Sequence, residues 1–151
     1  MQLKMNTDEK FLIYENLLCE WQSRMNLVAP STLDNIRVRH IDDSLQIIDL
    51  VPMDSVVIDL GSGAGFPAVP LAILGRDVFA IESIGKKCNF LNAVKDELDL
   101  KNLTIVNDRI ENIIKKITNN KSKIVITARA FASLEKILDM TCLIRDAEYV
   151  L

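Results

Sequence analysis

Val56-Val57-Ile58-Asp59-Leu60-Gly61-Ser62-Gly63-Ala64-Gly65-Phe66-Pro67 decides the fold of this chain. A β-branched apolar run predicts a buried strand, and the three glycines on alternate positions that follow predict a sharp turn whose backbone can approach a ligand closely. Pro67 suits the first turn of a helix, where its missing N–H costs nothing. Residues 68–74 continue that helix, provided Pro70 also stays within the first turn.

The spacing of the glycines separates two ligand classes. A dinucleotide site uses G-x-G-x-x-G, with a pyrophosphate against the helix N-terminus. Here the third glycine comes one residue early, Phe66 stands where that fingerprint wants glycine, and Asp59 lies two places before the first glycine. The pattern D-x-G-x-G-x-G resembles that of the class I S-adenosylmethionine (SAM) methyltransferases. It implies a loop passing beneath the methionine and ribose, with carboxylates holding the amino group or the ribose hydroxyls. Glu82 ends the next apolar run, Val78-Phe79-Ala80-Ile81, where a ribose-binding carboxylate is expected. The expected cofactor contacts in the loop are Asp59, Gly61, Ser62, Gly63, Gly65 and Phe66, and a side chain added at Gly63 is expected to fill the cradle.

Outward from this junction, short β-branched runs alternate with helical periodicity. This predicts an α/β fold, a parallel sheet with crossover helices on both faces. Strands are expected over 56–60, 78–82, 103–107, 124–128 and 149–151. Four helices connect them. The later three carry apolar stripes at Phe90, Leu91, Val94 and Leu98; at Ile110, Ile113, Ile114 and Ile117; and at Leu134, Ile137, Leu138 and Leu143. Asn119-Asn120-Lys121-Ser122 reads as a polar loop before the fourth strand. Ahead of the sheet, Phe11, Tyr14, Leu18, Trp21 and Met25 form one helical stripe with Trp21 in the core. A second helix, capped by Ser31 or Thr32, carries Leu33, Ile36, Ile41, Leu45 and Ile48. Length predicts a single domain over 1–151: a helical layer in 1–54 and a SAM-binding α/β core in 55–151.

With 151 residues, 49% hydrophobic and 26% charged, the composition is that of a globular protein and not of a disordered or membrane chain. The longest apolar run, 66–74, holds two prolines and is too short to span a bilayer. No secretory signal is visible, and Cys19, Cys88 and Cys142 show no C-x-x-C spacing, so a cytoplasmic location, reduced thiols and no metal are expected. A net charge of −3 argues against a generally basic nucleic-acid binder. Positive charge is local: Arg37, Arg39 and His40; Lys86 and Lys87; and Lys115, Lys116, Lys121 and Lys123, each also readable as a solvated face.

Ligands of open α/β sheets sit at the carboxyl ends of the strands, near the point where strand order reverses. Asp59 and the glycines, Glu82, the Asp108-Arg109-Ile110-Glu111 segment and Arg129 all fall at predicted strand ends. That convergence favours a binding site over scattered helix caps and ion pairs.

The chain also resembles a specific family. Trp21 with Asn26-Leu27, Arg39-His40-Ile41 with Asp43-Ser44-Leu45, the Gly65-Phe66-Pro67 loop, Glu82-Ser83 with Lys86-Lys87 and Phe90-Leu91, Arg109 with Glu111, and Arg129-Ala130-Phe131-Ala132 occur in order. The resemblance is to the glucose-inhibited division protein B (RsmG) family, bacterial 16S ribosomal RNA guanine-N7 methyltransferases. It implies SAM as cofactor and 16S ribosomal RNA or the small ribosomal subunit as partner, with a monomeric enzyme. It also implies cofactor contacts from Gly61, Phe66, Ile110, Glu111 and Arg129. Arg39, His40 and Arg129 are the implied substrate-site residues, and no residue is expected to act as a general base. Arg129 is equally readable as a phosphate anchor, a purine-stacking group or the partner of Glu111 or Asp59. Two departures stand out: Ala68 replaces a usual glycine, and the chain stops at Tyr149-Val150-Leu151, where a closing β-hairpin is expected to follow, as in a truncated copy. The alternatives left open are an impaired SAM-binding fragment and a methyltransferase for a small molecule or protein.

Overall fold

A computed structural model describes residues 5–117, 123–144 and 146–151. The expected loop at Asn119-Asn120-Lys121-Ser122 lies outside the described residues, as do the side chains of Ile114, Lys115 and Ile117. Five parallel strands, β1 (Ser55–Leu60), β2 (Asp77–Ile81), β3 (Leu103–Val106), β4 (Lys123–Ala128) and β5 (Glu148–Val150), form one sheet in the order β3-β2-β1-β4-β5. Strand order reverses between β1 and β4, so the crevice for a ligand opens above their carboxyl ends. All five strands lie within a residue or two of the positions the β-branched runs predict.

Alternation along the strands sends side chains to two separate cores. Val57, Val78, Ala80 and Val125 pack beneath α1 (Thr7–Gln22), α2 (Ala68–Ile73) and α3 (Gly85–Glu97). Ile58, Leu60, Ile124 and Ile126 face α4 (Ile110–Ile117) and α5 (Leu134–Thr141) on the other side. Helix α1 starts with a reciprocal cap: the Asn6 side chain accepts from Glu9 N–H and the Glu9 carboxylate accepts from Asn6 N–H. It buries Phe11, Tyr14 and Leu18. Trp21 is only half-buried, edge-on to Phe90 at 5.7 Å, and Met25 lies past the end of the helix.

Two expectations fail for physical reasons. The single helix predicted after Pro30 is instead a 3-10 turn (Pro30–Asn35), a wide π-type turn (Arg37–Asp42) and a short α-turn. Ile36 and Ile41 are both buried, and an α-helix places residues five apart about 140° away from each other. The i→i+5 geometry of the wide turn returns them to one face. No side-chain cap forms at its start: Thr32 Oγ1 donates back to Ala29 O. In α5, of the predicted stripe, only Ile137 is buried. The stripe that packs is Ile137, Thr141 and Ile144, while Leu134, Leu138 and Leu143 are exposed. Ala68 needs no left-handed backbone, because it opens α2 and is fully buried, and Pro70 sits in the first turn as expected.

Candidate functional site

The turn after β1 runs through three left-handed glycines, Gly61 (φ +65°), Gly63 (φ +56°) and Gly65 (φ +95°). Glu82, buried at the end of β2, fixes its shape. One carboxylate oxygen accepts from Gly63 N–H and the other from Ile84 N–H, both at 2.9 Å. Asn107 Nδ2 holds the Glu82 carbonyl at 3.0 Å. A carboxylate offers about four acceptor positions, so this clamp leaves lone pairs free for a ligand.

Between this clamp and the tips of β3 and β4 lies a cavity of about 370 Å³, a size suited to a small-molecule ligand. Leu60, Gly61, Ile81 and Glu82 form its floor. Asp108, Arg109, Ile110 and Glu111 come from the start of α4, and Ala130 and Phe131 from the loop after β4. Ser83, Ile84, Lys87, Lys136 and Met140 complete it. As site residues, sequence reasoning missed Ile84, Phe131, Lys136 and Met140. The last two are four apart on α5, a spacing read only as part of an amphipathic helix.

Of the expected cofactor residues, Gly61, Glu82, Ile110 and Glu111 line this cavity, and six do not. Ser62 is buried, its hydroxyl donating to Asp59 O at 3.2 Å. Gly63 contributes through its N–H to Glu82, and a Cβ there would meet only Gly61 O at 3.7 Å. Gly65 is enclosed by Val69, Tyr14 and Leu91. Phe66 lies in the core between Tyr14 (ring centroids 5.3 Å) and His40 (5.0 Å, nearly parallel). Asp59 is 1% exposed and sits on the opposite side of the sheet from the cavity, since Leu60 and Ile58 take the cavity side. In register with Thr127, it accepts from that hydroxyl at 2.7 Å, and its Oδ2 has no partner.

Arg129 pairs with neither Glu111 nor Asp59. Its guanidinium lies 3.3 Å from Asp43 and 3.3 Å from the Arg39 carbonyl, binding the end of β4 to the wide turn. An exposed pair of this kind contributes under about 1 kcal/mol. His40 Nε2 is 2.8 Å from Thr32 Oγ1, and burial first, then the Arg129 charge, pushes its pKa down, so the ring is neutral at pH 7. Arg39, His40 and Arg129 are thus brought together, beside a second cavity of about 230 Å³ lined by Asp43, Ser44, Thr127 and Arg129.

Burial pushes the Asp59 pKa from 3.8 up to about 7, with the neighbouring Ser62 and Thr127 hydroxyls pulling it back and the Glu82 charge adding to the rise. Between those two values the folded chain keeps a proton that the unfolded chain has lost, so stability falls as pH rises through the window. His40 acts in the opposite sense, below about 6.5. Asp59→Asn removes only the first effect. Melting curves at pH 5 and pH 8 should show the variant gaining about 2–3 kcal/mol on the wild type at the higher pH. An equal gap at both values would mean that Asp59 is ionised throughout.

These residues suit a sulfonium nucleoside better than a dinucleotide. The loop bends around a carboxylate, its Ser62, Gly63 and Gly65 N–H groups are engaged by Ile81 O, Glu82 and Ser62 O, and Glu82 forms part of the cavity floor. Comparison with known proteins agrees. Residues 7–151 match the family model GidB, rRNA small subunit methyltransferase G. Over 137 residues the chain is 44% identical to the ribosomal RNA small subunit methyltransferase G of Orientia tsutsugamushi (strain Ikeda), covering 89% of this chain and 66% of that one. Against the protein of the same name from Paramagnetospirillum magneticum it is 40% identical, covering 87% and 62%. The chain thus spans just under two thirds of the length of these curated relatives. A SAM-dependent methyltransferase structure from Agrobacterium tumefaciens superposes with a TM-score of 0.56 at 14% identity, over 82% of this chain and 44% of that one, a likeness of fold.

Proposed function

Since the chain belongs to the rRNA small subunit methyltransferase G family, we propose that it transfers a methyl group from SAM to N7 of a guanine in 16S ribosomal RNA, acting as a monomer in the cytoplasm. The observation that carries this reading is the clamp of Glu82 on the glycine loop beside a cavity of about 370 Å³. Among the described residues no helix is long and apolar enough to cross a membrane.

The chemistry asks little of the protein beyond placement. SAM supplies an electrophilic methyl on a positively charged sulfur. Guanine N7 carries an in-plane lone pair and no proton, so its methylation needs no general base. What the chain provides is orientation, which can account for much of the acceleration. In this reading Glu82 grips the ribose hydroxyls with its remaining lone pairs, and Ile110 and Glu111 border the adenine. Gly61 lets the backbone approach, while Ser62, Gly63 and Gly65 shape the loop from behind. Asp59 and Phe66 support it without contact. Arg39, His40 and Arg129, on the neighbouring side of the β4 tip, receive the RNA.

Transfer of labelled methyl from SAM to small ribosomal subunits lacking the modification, followed by mapping of the base, tests the proposal. Label on a single guanine N7 of 16S RNA is expected; label only on protein or small molecules would overturn it. In the same assay His40→Ala should lower transfer a few-fold with SAM affinity unchanged, because the ring supports the site wall and moves no proton. Complete loss of transfer in a folded, SAM-binding variant would assign His40 a chemical role.

A further inference from the structure

Phe131 is a large aromatic side chain that belongs to neither core, remains 38% exposed, and lines the cavity of the glycine loop. Its position follows from the residue before it. Ala130 adopts φ +50°, a left-handed conformation that costs a residue bearing a Cβ about 1 kcal/mol or more. The bend turns the chain at the tip of β4 back across the sheet, towards the end of β1 with which β4 pairs (Leu60 opposite Ala128). The ring comes to rest directly on Gly61. A Cβ at Gly61 would overlap Phe131 Cδ2, with Cε2 and Cγ almost equidistant behind it at 3.1 and 3.2 Å. That pattern is an edge-on approach: the ring stands upright on the glycine, with its edge towards Gly61 and its faces turned away from that backbone.

An aromatic face is an attractive surface for a cation, because the π-cloud is electron-rich above the ring plane. Arg24 and Arg37 stack on Trp21 and Phe11, and no guanidinium among the described residues covers Phe131. We propose that Phe131 is a charge-reading residue of the cofactor cavity, whose ring favours the sulfonium donor over its neutral thioether product. Bound donor is thereby preferred to spent product without any residue contacting the reaction itself. The inference rests on the assignment of this cavity to SAM, and on the upright ring over Gly61.

The test is the ratio of two dissociation constants, for SAM and for S-adenosylhomocysteine, measured by calorimetry on the wild type and on Phe131→Leu. A ring that reads charge makes the variant lose about two- to fivefold in SAM affinity relative to the product. A wall that merely fills space moves both constants together. If circular dichroism shows that Phe131→Leu has not folded, pentafluorophenylalanine at position 131 keeps the shape and reverses the polarity of the ring face, and the same fall in the ratio is expected. An unchanged ratio in a folded variant overturns the proposal while leaving SAM as the cofactor. Failure of the wild type to bind either compound overturns both.

Discussion

A single added methyl group at Gly65 is expected to lower the melting temperature by roughly 10 °C. Gly65 has φ +95°, and a Cβ there would come within 2.6 Å of Val69 Cγ2, 2.9 Å of the Tyr14 hydroxyl and 3.0 Å of Leu91 Cδ2. Backbone strain of about 1–2 kcal/mol and overpacking of about 1–3 kcal/mol add at one point. For a chain of this size each kcal/mol shifts the midpoint by about 2–4 °C. The neighbours cannot step aside: Tyr14 donates to Ala64 O at 2.6 Å, and Leu91 is fully buried in α3. Thermal melts followed by circular dichroism decide the matter, and Gly65→Ala melting within two degrees of wild type would show that the packing around the loop is loose. Gly63→Ala makes the comparison sharper. Its Cβ meets only one atom at van der Waals distance, so it should lose the backbone term alone.

Glu82→Gln should weaken SAM binding by about tenfold or more while leaving the protein folded. The carboxylate accepts from two backbone N–H groups at once. An amide supplies one acceptor oxygen and turns its NH2 towards the other donor, so one of the two bonds is lost. Hydrogen bonds to a charged group are worth about 1.5–3 kcal/mol each. In the proposed reading the same group also holds the ribose, so the loop loosens and the ligand contact weakens together. Calorimetric titration with SAM gives the affinity, and a constant within twofold of wild type would remove Glu82 from the site. Glu82→Ala leaves both donors without a partner and should cost a further 1–3 kcal/mol of stability.

How much of this was readable from the residues differs from element to element. The strands announce themselves, because β-branched runs bounded by Gly, Asn and Asp have few other ways to be buried. Glu82 was legible for the same reason: it is the first charge after such a run. The orientation of Asp59 is a matter of parity. With Val57 and Asp59 on one side and Ile58 and Leu60 on the other, only the identity of the covering helices tells which side holds the cavity. The irregular turn at Arg37–Asp42 leaves a trace in the five-residue step between Ile36 and Ile41, a period that belongs to no regular helix or strand. Phe131 leaves none. Its position depends on an alanine in a conformation that alanine seldom takes, and no composition or spacing announces that.

Tyr14, Phe66 and His40 are three rings in succession, one from the first helix, one from the glycine loop and one from the wide turn. Together they act as a strap, fastening the loop to the front third of the chain. A transplant of residues 55–151 into a foreign scaffold would therefore carry the strands across intact and yet leave the loop unbuckled.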